Sequence, residues 1–439
     1  MNVVSIVSAA LLLSLPLCSQ VCGDDKHIAG IDIGNTYESR VREGIERNRK
    51  GDARVVVVDR SGAPVSDARV TIRQVSHDFL FGCAFPAWAE VPGNLGSEGW
   101  ANWNKYFTRL FNYTTSENAL KWTPLEPEEG KYRWEAGDFM VRWCRERGIK
   151  IKGHTLIWPY DPQGIPQWIR NYAPEQISTA AKKRIDTVIG HYRNDIRIWD
   201  VVNEPVHLPW YEQHWGKDYV VDSFKWARAA DPGATLVINE YASFVRDGDK
   251  YVALVKDLLA KGAPIDAMGE QAHDPPHWYS PKEVFDTLDK MAATGLRVHL
   301  TELTYPSNGA DITGGFVKGK WDEAMQGRFY RYFATLAFSH PNVDAITLWA
   351  MWDGSSWLKP GGIIREDWTP KPAYEALDDL INNKWKTHFA TRSDTRGEVR
   401  FRGFLGGYEI QVVSPSGKTR IGKLHLAATG DNEVKFRID

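Results

Sequence analysis

Short apolar runs alternate with amphipathic stretches through the middle of this chain, from about residue 79 to residue 383. The apolar runs are typical of buried strands, and the stretches between them have apolar residues at helical spacing. Strands are predicted at residues 80–85, 111–115, 150–154, 196–202, 235–239, 267–271, 297–301 and 345–349. Helices are predicted at residues 139–147, 177–192, 223–230, 252–261, 282–293, 323–339 and 372–381. Eight βα repeats over roughly 300 residues predict an α/β fold, a (β/α)8 TIM barrel.

A doubly wound open sheet is the main alternative to a barrel. The sequence has no Gly-rich phosphate-binding loop after the first predicted strand, which disfavours that alternative. No GxxxxGK[ST] motif occurs anywhere in the chain, so a P-loop enzyme is excluded.

Both ends of the chain are predicted to be rich in β structure. Residues 37–50 predict a short charged helix, and two strand-like runs follow at 54–59 and 68–75. Further short β runs are predicted at 398–404, 408–413, 423–427 and 433–438. Because the termini of a domain often lie close together, the two ends could pair into one small accessory β domain. We therefore expect an N-terminal region over 24–78, the barrel over 79–383 and a C-terminal β region over 384–439.

The first residues have the pattern of a targeting segment. Residues 2–17 are apolar and uncharged, and they are too few for a comfortable membrane span. Residues 1–23 are predicted to be a secretory signal peptide, with a cleavage site at 21–23 and an extracellular or periplasmic product. Lipid attachment at Cys18 is disfavoured because the residues before it are not the small ones that this signal needs. Cys83 and Cys144 would remain, either as two buried thiols or as one disulfide.

Composition narrows the function classes. The 439 residues include 54 Lys and Arg against 56 Asp and Glu, so no broad field favours a nucleic acid or an anionic membrane. Four Cys in so long a chain are not a disulfide scaffold. The 19 Trp exceed both the 17 Tyr and the 17 Phe, and all lie between Trp88 and Trp385. Indole rings in such a region serve either as core or as stacking platforms for a ligand.

Polar and aromatic side chains stand at the carboxyl ends of the predicted strands, where the active sites of barrel enzymes lie. In chain order these residues are Glu117, Asn118, Lys121, His154, Trp158, Asn203, Glu204, Asn239, Glu240, Tyr241, Gln271, His273, Glu302, Trp349, Trp352 and Trp357. Glu204 and Glu302 end the fourth and seventh strands, which lie across the barrel mouth from each other. Hydrolysis of a glycosidic bond needs such a pair of carboxyl groups, and Asn203 beside Glu204 suits a sugar 2-hydroxyl.

Four motifs carry a family resemblance. They are TSENALKW at 115–122, GHTLIW at 153–158, WDVVNEP at 199–205 and HLTEL at 299–303. Together they resemble glycoside hydrolase family 10, the endo-β-1,4-xylanases, across residues 79–383. The NEP motif with a second Glu after strand seven is shared by a clan of retaining glycosidases, whereas ENALKW and GHTLIW are more specific to this family.

The resemblance implies a retaining endo-β-1,4-xylanase with Glu204 as acid/base and Glu302 as nucleophile. Carboxyl groups in such enzymes are about 5–5.5 Å apart. The pKa of the acid/base is expected to rise toward ~6–7 through partial burial and a neighbouring negative charge. The expected partner is xylan or a xylo-oligosaccharide, with no metal or organic cofactor, no nucleic acid, no membrane span and a monomeric chain.

The resemblance also implies a set of sugar-binding residues. Glu117, Asn118 and Lys121 would bind sugars on the non-reducing side, and His154 and Trp158 would line the subsite of the cleaved sugar. Gln271 and His273 would hydrogen-bond the nucleophile and the 2-hydroxyl. Trp349 and Trp357 would form an aromatic ceiling, and Tyr241 would lie on the leaving-group side.

Two departures from the family pattern affect fine specificity. Pro159 follows GHTLIW where members often have His, and Thr304 follows Glu302-Leu303 where many have Asp. That Asp would orient His273, so another partner must do so, and the Thr304 hydroxyl is a weaker candidate. Asn112 begins a glycosylation sequon, but its expected place in a barrel strand argues against modification.

Several alternatives remain. Another retaining activity on the same barrel, against β-1,3-xylan, a mixed glucan or a glycosylated small molecule, is the nearest. A non-catalytic polysaccharide-binding protein is the rival from a different class. Tryptophans at helix or strand-interior positions are predicted to be core (Trp134, Trp143, Trp199, Trp226), and those at strand ends or in loops are cleft candidates (Trp88, Trp158, Trp278, Trp349, Trp352, Trp357). The ends of the chain have no Trp, which favours a spacer role over sugar binding.

Overall fold

The computed structural model describes residues 28–86 and 95–438. The signal-peptide prediction and Trp88 lie outside these residues. The strands are β1 (Lys50–Val58), β2 (Arg69–Gln74), β3 (Leu80–Phe85), β4 (Tyr113–Ser116), β5 (Lys150–Gly153), β6 (Ile198–Asn203), β7 (Thr235–Glu240), β8 (Ala267–Glu270), β9 (Arg297–Leu303), β10 (Val343–Leu348), β11 (His388–Arg392), β12 (Glu398–Phe404), β13 (Gly406–Val413), β14 (Thr419–Leu426) and β15 (Glu433–Arg437). The α-helices are α1 (Asn35–Asn48), α2 (Gly96–Leu110), α3 (Trp122–Leu125), α4 (Glu135–Arg147), α5 (Pro174–Tyr192), α6 (Trp210–His214), α7 (Tyr219–Ala230), α8 (Gly248–Ala260), α9 (Pro281–Ala292), α10 (Glu323–Ser339) and α11 (Pro372–Asp379).

Strands β3 to β10 form a closed parallel barrel in which β10 pairs with β3, and helices connect successive strands. Every residue of β3 is buried, as expected for parallel strands that are covered on both faces. A close approach inside the barrel requires one glycine: a Cβ at Gly153 would lie 2.1 Å from the ring of Trp199. The predicted (β/α)8 fold is therefore confirmed.

The two ends of the chain form the accessory β structure together. In one sheet β1 lies between β12 and β15, and in the other the order is β11-β2-β13-β14. Their facing sides enclose a separate core that includes Val55, Val57, Val70, Ile72 and Ile410. The expectation that strands from both termini build one accessory region is confirmed.

Arg49 ties this accessory structure to the barrel. Its guanidinium is buried and donates to the carbonyls of Phe338, His340 and Val343 at 2.5, 2.5 and 2.7 Å. These carbonyls belong to the end of α10, the turn after it and the start of β10. This is the end of the barrel opposite the carboxyl ends of the strands. The accessory structure therefore contacts the amino end of the barrel and leaves the other end to the functional residues.

Some local predictions differ from the structure. The sequence pattern does not predict α2 or β11. The second barrel strand begins at Tyr113, one residue after Asn112. The Asn112 side chain accepts a hydrogen bond from Phe81 N and donates to the carbonyls of His77 and Phe79. The sequon asparagine thus precedes the strand, and its amide is already hydrogen-bonded.

Cys83 and Cys144, the two cysteines within the described ranges, are buried free thiols. Among helices in the part of the chain that the structure describes, none combines the length and apolar character that crossing a membrane requires.

Candidate active site

Glu204 and Glu302 occupy the carboxyl ends of β6 and β9. Glu204 has a left-handed backbone (φ 58°), and its N–H donates to the carbonyl of Asn239 at 2.8 Å. A non-glycine residue with positive φ is uncommon and is often found at a functional site. Glu302 is 6% exposed. Both carboxyl groups thus lie at the mouth of the barrel, with Glu302 buried and Glu204 half-buried.

Two asparagine amides join the two carboxyl groups. Asn203 Nδ2 donates to Glu204 Oε1 at 3.1 Å, and Asn239 Nδ2 donates to Asn203 Oδ1 at 2.8 Å. Asn239 Nδ2 also donates to Glu302 Oε1 at 2.9 Å, and Asn239 Oδ1 accepts from Thr301 Oγ1 at 2.7 Å. This continuous chain brings the ends of β6 and β9 into one site, as their places in the barrel predict.

Glu204 has two further hydrogen-bond donors. Trp158 Nε1 donates to Oε2 at 2.9 Å, and Gln271 Nε2 donates to Oε1 at 2.9 Å. His273 lies against Gln271, with its Nε2 hydrogen-bonded to Gln271 Oε1 at 2.5 Å. In the structure, therefore, Gln271 bonds Glu204 rather than Glu302, and His273 bonds Gln271.

The orientation of His273 differs from expectation. Its Nδ1 is buried without a hydrogen-bond partner among the described residues. The Thr304 hydroxyl donates to the backbone carbonyl of Glu302 at 3.1 Å, so it does not orient the imidazole. Burial lowers the pKa of His273 to about 4, and the ring is neutral at neutral pH.

Burial and neighbouring negative charge raise the pKa of both glutamates. Burial, followed by the charge of Glu204, raises the pKa of Glu302 to about 8. Burial also raises the pKa of Glu204, and the charge of Glu240 adds to this, against the effect of the N–H donors. Because the charge of Glu204 disfavours ionisation of Glu302, ionisation of the first carboxyl group makes ionisation of the second less favourable.

A buried ion pair lies beneath this site. Lys152 Nζ is 2.8 Å from Asp200 Oδ2, and both side chains are fully buried. His154 Nδ1 lies 2.9 Å from the same oxygen. Burial alone would raise the pKa of Asp200, but Lys152 and His154 together hold it below its ordinary value. Burial lowers the pKa of His154 to about 4, so its Nδ1 carries the hydrogen-bonding proton and its Nε2 is an acceptor.

Aromatic and polar side chains form the walls around the carboxyl pair. Lys121 Nζ donates to Gln163 Oε1 at 3.0 Å and lies 4.8 Å from the centroid of the Trp158 ring. The Trp158 ring stacks on Tyr160, with 4.6 Å between the ring centroids. His154 packs against the edge of Trp349, and His273 against the edge of Trp357, each at 5.2 Å between centroids. Trp357 is 54% exposed. Glu117 and Asn118 follow β4 and are half-buried, and Tyr241 follows β7.

The prediction that Trp278 lies in the cleft is wrong. Trp278 is fully buried, and its ring packs at 5.5 Å from Trp321 and 5.1 Å from Phe329. It belongs to the core beneath the long connection between β9 and α10. Trp143 and Trp199 are buried as predicted.

Three polar residues of the site have no role in the sequence interpretation. Asn239 bridges the carboxyl pair, Glu240 is fully buried beside it, and His207 contacts Glu240. The signal that could identify Asn239 and Glu240 is their position at the carboxyl end of β7. His207 could be found only as the imidazole three residues after Glu204.

The barrel is similar in sequence to known proteins. The sequence profile of "Glycosyl hydrolase family 10" matches residues 74–380. The chain is 29% identical over 385 residues to the "Anti-sigma-I factor RsgI6" of Acetivibrio thermocellus, covering 87% of this chain and 47% of that protein. It is 28% identical over 412 residues to "Endo-1,4-beta-xylanase 1" of Arabidopsis thaliana, covering 90% and 40%.

A solved structure is similar to the barrel. The structure of a GH10 protein from Paenibacillus barcinonensis superposes with a TM-score of 0.58 at 28% identity, covering 69% of this chain and 95% of that one. The chain spans less than half the length of the two curated relatives, at 47% and 40%. The similarity therefore concerns the barrel and its surroundings.

Proposed function

The chain belongs to glycosyl hydrolase family 10, and from that premise we propose that it is a retaining endo-1,4-β-xylanase acting on internal bonds of xylan. The observation that carries the proposal is the pair of carboxyl groups at the barrel mouth, Glu204 and Glu302, which two asparagine amides join by hydrogen bonds. The names of the xylanase relatives support the substrate class.

The proposed reaction has two displacements. In the first, a carboxylate oxygen of Glu302 attacks C1 of the sugar while Glu204 gives its proton to the leaving glycosidic oxygen. This breaks the C1–O bond and forms a covalent glycosyl ester on Glu302. In the second, Glu204 takes a proton from water, whose oxygen attacks C1 and releases Glu302. Two inversions at C1 leave the product with the β configuration of the substrate.

The first step needs a proton on Glu204 while Glu302 is ionised. Among the described residues and without substrate, three N–H groups donate to Glu204, from Trp158, Asn203 and Gln271, and one donates to Glu302. Such donors favour the ionised form of the group that accepts them. We infer that sugar hydroxyls recruit the amides of Asn203 and Gln271 on binding, and that Glu204 then holds the proton while Glu302 is ionised.

The remaining side chains suit an uncharged polysaccharide. The exposed indole of Trp357 can cover a sugar face, and Trp349 lies beside His154, whose Nε2 can accept from a sugar hydroxyl. Glu117, Asn118 and Lys121 offer hydroxyl partners on the side of β4, and Tyr241 offers a ring on the side of β7. We assign the first set to the non-reducing side of the scissile bond and Tyr241 to the leaving-group side.

Glutamine variants test these roles. We expect Glu302→Gln to reduce hydrolysis of xylan by at least about a thousandfold, because glutamine is a poor nucleophile. Glu204→Gln should impair xylan cleavage far more than cleavage of an aryl xyloside whose leaving group needs no proton. Glu175→Gln, an exposed position on α5, is the matched control and should retain the parental rate.

Product analysis tests the stereochemistry and the substrate. NMR of the first product released from xylan should show the β anomer, and an α anomer would contradict the two-displacement reaction. Parental hydrolysis of mixed-linkage glucan or β-1,3-xylan without hydrolysis of β-1,4-xylan would overturn the substrate assignment. An unchanged rate for Glu302→Gln would remove Glu302 as nucleophile.

A further inference from the structure

His207 lies three residues after Glu204, and both of its ring nitrogens face carboxylates. Nδ1 is 2.7 Å from Glu240 Oε1, and Nε2 is 3.1 Å from Asp247 Oδ2. A neutral imidazole can donate from only one nitrogen, whereas the imidazolium donates from both. Two carboxylate acceptors therefore fit the charged ring, whose side chain is 15% exposed.

Glu240 connects this histidine to the backbone around Glu204. Its side chain is fully buried and accepts from Val206 N at 2.8 Å and from Tyr241 N at 2.9 Å. The carboxylate of Glu240 thus joins the loop that follows Glu204 to the end of β7. Among the described residues, His207 is the only basic side chain that bonds it.

The imidazole also supports Tyr241. The two rings stack with centroids 4.0 Å apart and planes at 18°. A cation on one face of a phenol ring is attracted to it and holds it in place. Tyr241 is the ring assigned above to the leaving-group side.

The surrounding charges leave His207 as the main partner of Glu240. Asp247, the second acceptor, is balanced by ion pairs with Arg246 and with Lys250, the latter at 2.7 Å. Arg246 Nη2 lies 3.5 Å from His207 Nε2, so this guanidinium and the imidazole both face Asp247. Arg246 also lies near Asp274, whose pKa is raised by burial.

Three further groups face Glu240 from neighbouring elements. They are Glu270 on β8, Tyr219 on α7 and Tyr251 on α8. Burial raises the pKa of each of them. None of the three side chains can carry a positive charge, so none compensates Glu240.

We propose that His207 is a positioning residue for the reaction, an imidazolium that balances the charge of Glu240 and thereby controls when Glu204 carries its proton. The proposal rests on the proposed function of Glu204. The hydrogen bond to Glu240 raises the pKa of His207, and the charge of Glu240, after burial, raises that of Glu204. Loss of the histidine charge and loss of the Glu240 charge should therefore affect Glu204 in opposite directions.

The test compares the pH dependence of kcat/KM on xylan for the parent, His207→Gln and Glu240→Gln. In His207→Gln the charge of Glu240 is no longer compensated, so Glu204 should keep its proton to higher pH. The alkaline limb of the kcat/KM profile should therefore move to higher pH by about 0.5–1 unit. With the carboxylate removed, the limb should move to lower pH by a similar amount. Two unshifted limbs, or two shifts in one direction, would contradict the proposal.

His191→Gln is the matched control. The imidazole of His191 also stacks on an aromatic ring, that of Trp134 at 4.0 Å, and lies 2.8 Å from the carboxylate of Asp138. His191 lies on helix α5 and Asp138 on helix α4, on the outside of the barrel. Its replacement should leave the pH profile of the parent unchanged.

A second measurement does not depend on activity. In protein labelled with 15N-histidine, the His207 signal, assigned by its loss in His207→Gln, should titrate above the ordinary midpoint of about 6.5. A midpoint at or below that value would overturn the proposal even if Glu240→Gln failed to fold. If the parent did not cleave xylan, the proposed function would fail, and this titration would still decide the charge of His207.

Discussion

Replacement of Asn239 by aspartate should make the reaction dependent on an additional proton. Asn239 is fully buried, and its Nδ2 donates to Glu302 Oε1 at 2.9 Å and to Asn203 Oδ1 at 2.8 Å. Its Oδ1 accepts from Thr301, and an aspartate oxygen could do the same. Because the two side chains have nearly the same shape, the substitution changes charge and hydrogen-bond donation with little change in packing.

The size of the effect follows from the lost donor. A hydrogen bond to a charged group contributes about 1.5–3 kcal/mol. If Asn239→Asp loses that bond to ionised Glu302, the rate should fall roughly 10- to 150-fold at neutral pH. At neutral pH the introduced carboxylate repels Glu302 and donates no hydrogen bond to it. As the pH falls, protonation of the introduced carboxyl group supplies a donor toward Glu302, and the loss of rate should become smaller.

The assay is the pH dependence of kcat on an aryl β-xyloside with an activated leaving group, because protonation of Glu204 matters little there. Asn112→Asp is the matched control, since Asn112 Nδ2 also makes two hydrogen bonds but lies at the amino end of the barrel. Thermal unfolding by circular dichroism checks that both variants fold. A parental kcat for Asn239→Asp at neutral pH, or an equal loss at every pH, would refute the reasoning.

Three other substitutions give separate outcomes. Trp158→Phe removes the donor to Glu204, which should raise the pKa of that carboxyl and move the alkaline limb on xylan upward by about 0.5–1 unit. Trp357→Ala should raise KM for xylo-oligosaccharides about 5- to 10-fold through lost stacking, while urea unfolding changes by less than about 0.5 kcal/mol, because the ring is exposed. Lys152→Met leaves Asp200 buried without its ion pair and should lower the free energy of unfolding in urea by about 3–5 kcal/mol.

The barrel strands are predictable from sequence because burial on both faces leaves continuous apolar runs, as in Leu80–Phe85. Helix α2 does not stand out in the same way. It begins with two glycines, Gly96 and Gly99, which weaken helix propensity, and it has no side-chain cap. The local pattern that still indicates a helix there is the spacing of its buried aromatic residues, which include Trp103 and Phe107.

Contacts between distant segments explain the wrong prediction for Trp278. Two prolines precede it closely, so the local pattern indicates a loop. Its burial depends on Trp321 and Phe329, which are more than forty residues further along the chain. No local pattern contains that packing.

The carboxyl pair and its bridge differ in how far sequence can predict them. Glu204 and Glu302 are identifiable because barrel enzymes place their chemistry at the carboxyl ends of strands. The bridging role of Asn239 depends on which neighbouring side chain points into the mouth. The pairing of β6 with β7 has a register irregularity at Asp200 to Val202, just before the pair Asn203 and Asn239, and periodicity alone does not show it.

The role of Glu302 as nucleophile is tested most directly by trapping the covalent intermediate. A 2-deoxy-2-fluoro-β-xylobioside with a dinitrophenyl leaving group slows both displacements but speeds formation of the ester relative to its hydrolysis, so the glycosyl-enzyme should accumulate. Peptide mass spectrometry should then place one fluoroxylobiosyl group on Glu302, and the Glu302→Gln variant should remain unlabelled. A label on Glu204 or on any other residue, in a protein that hydrolyses xylan, would contradict the proposed reaction.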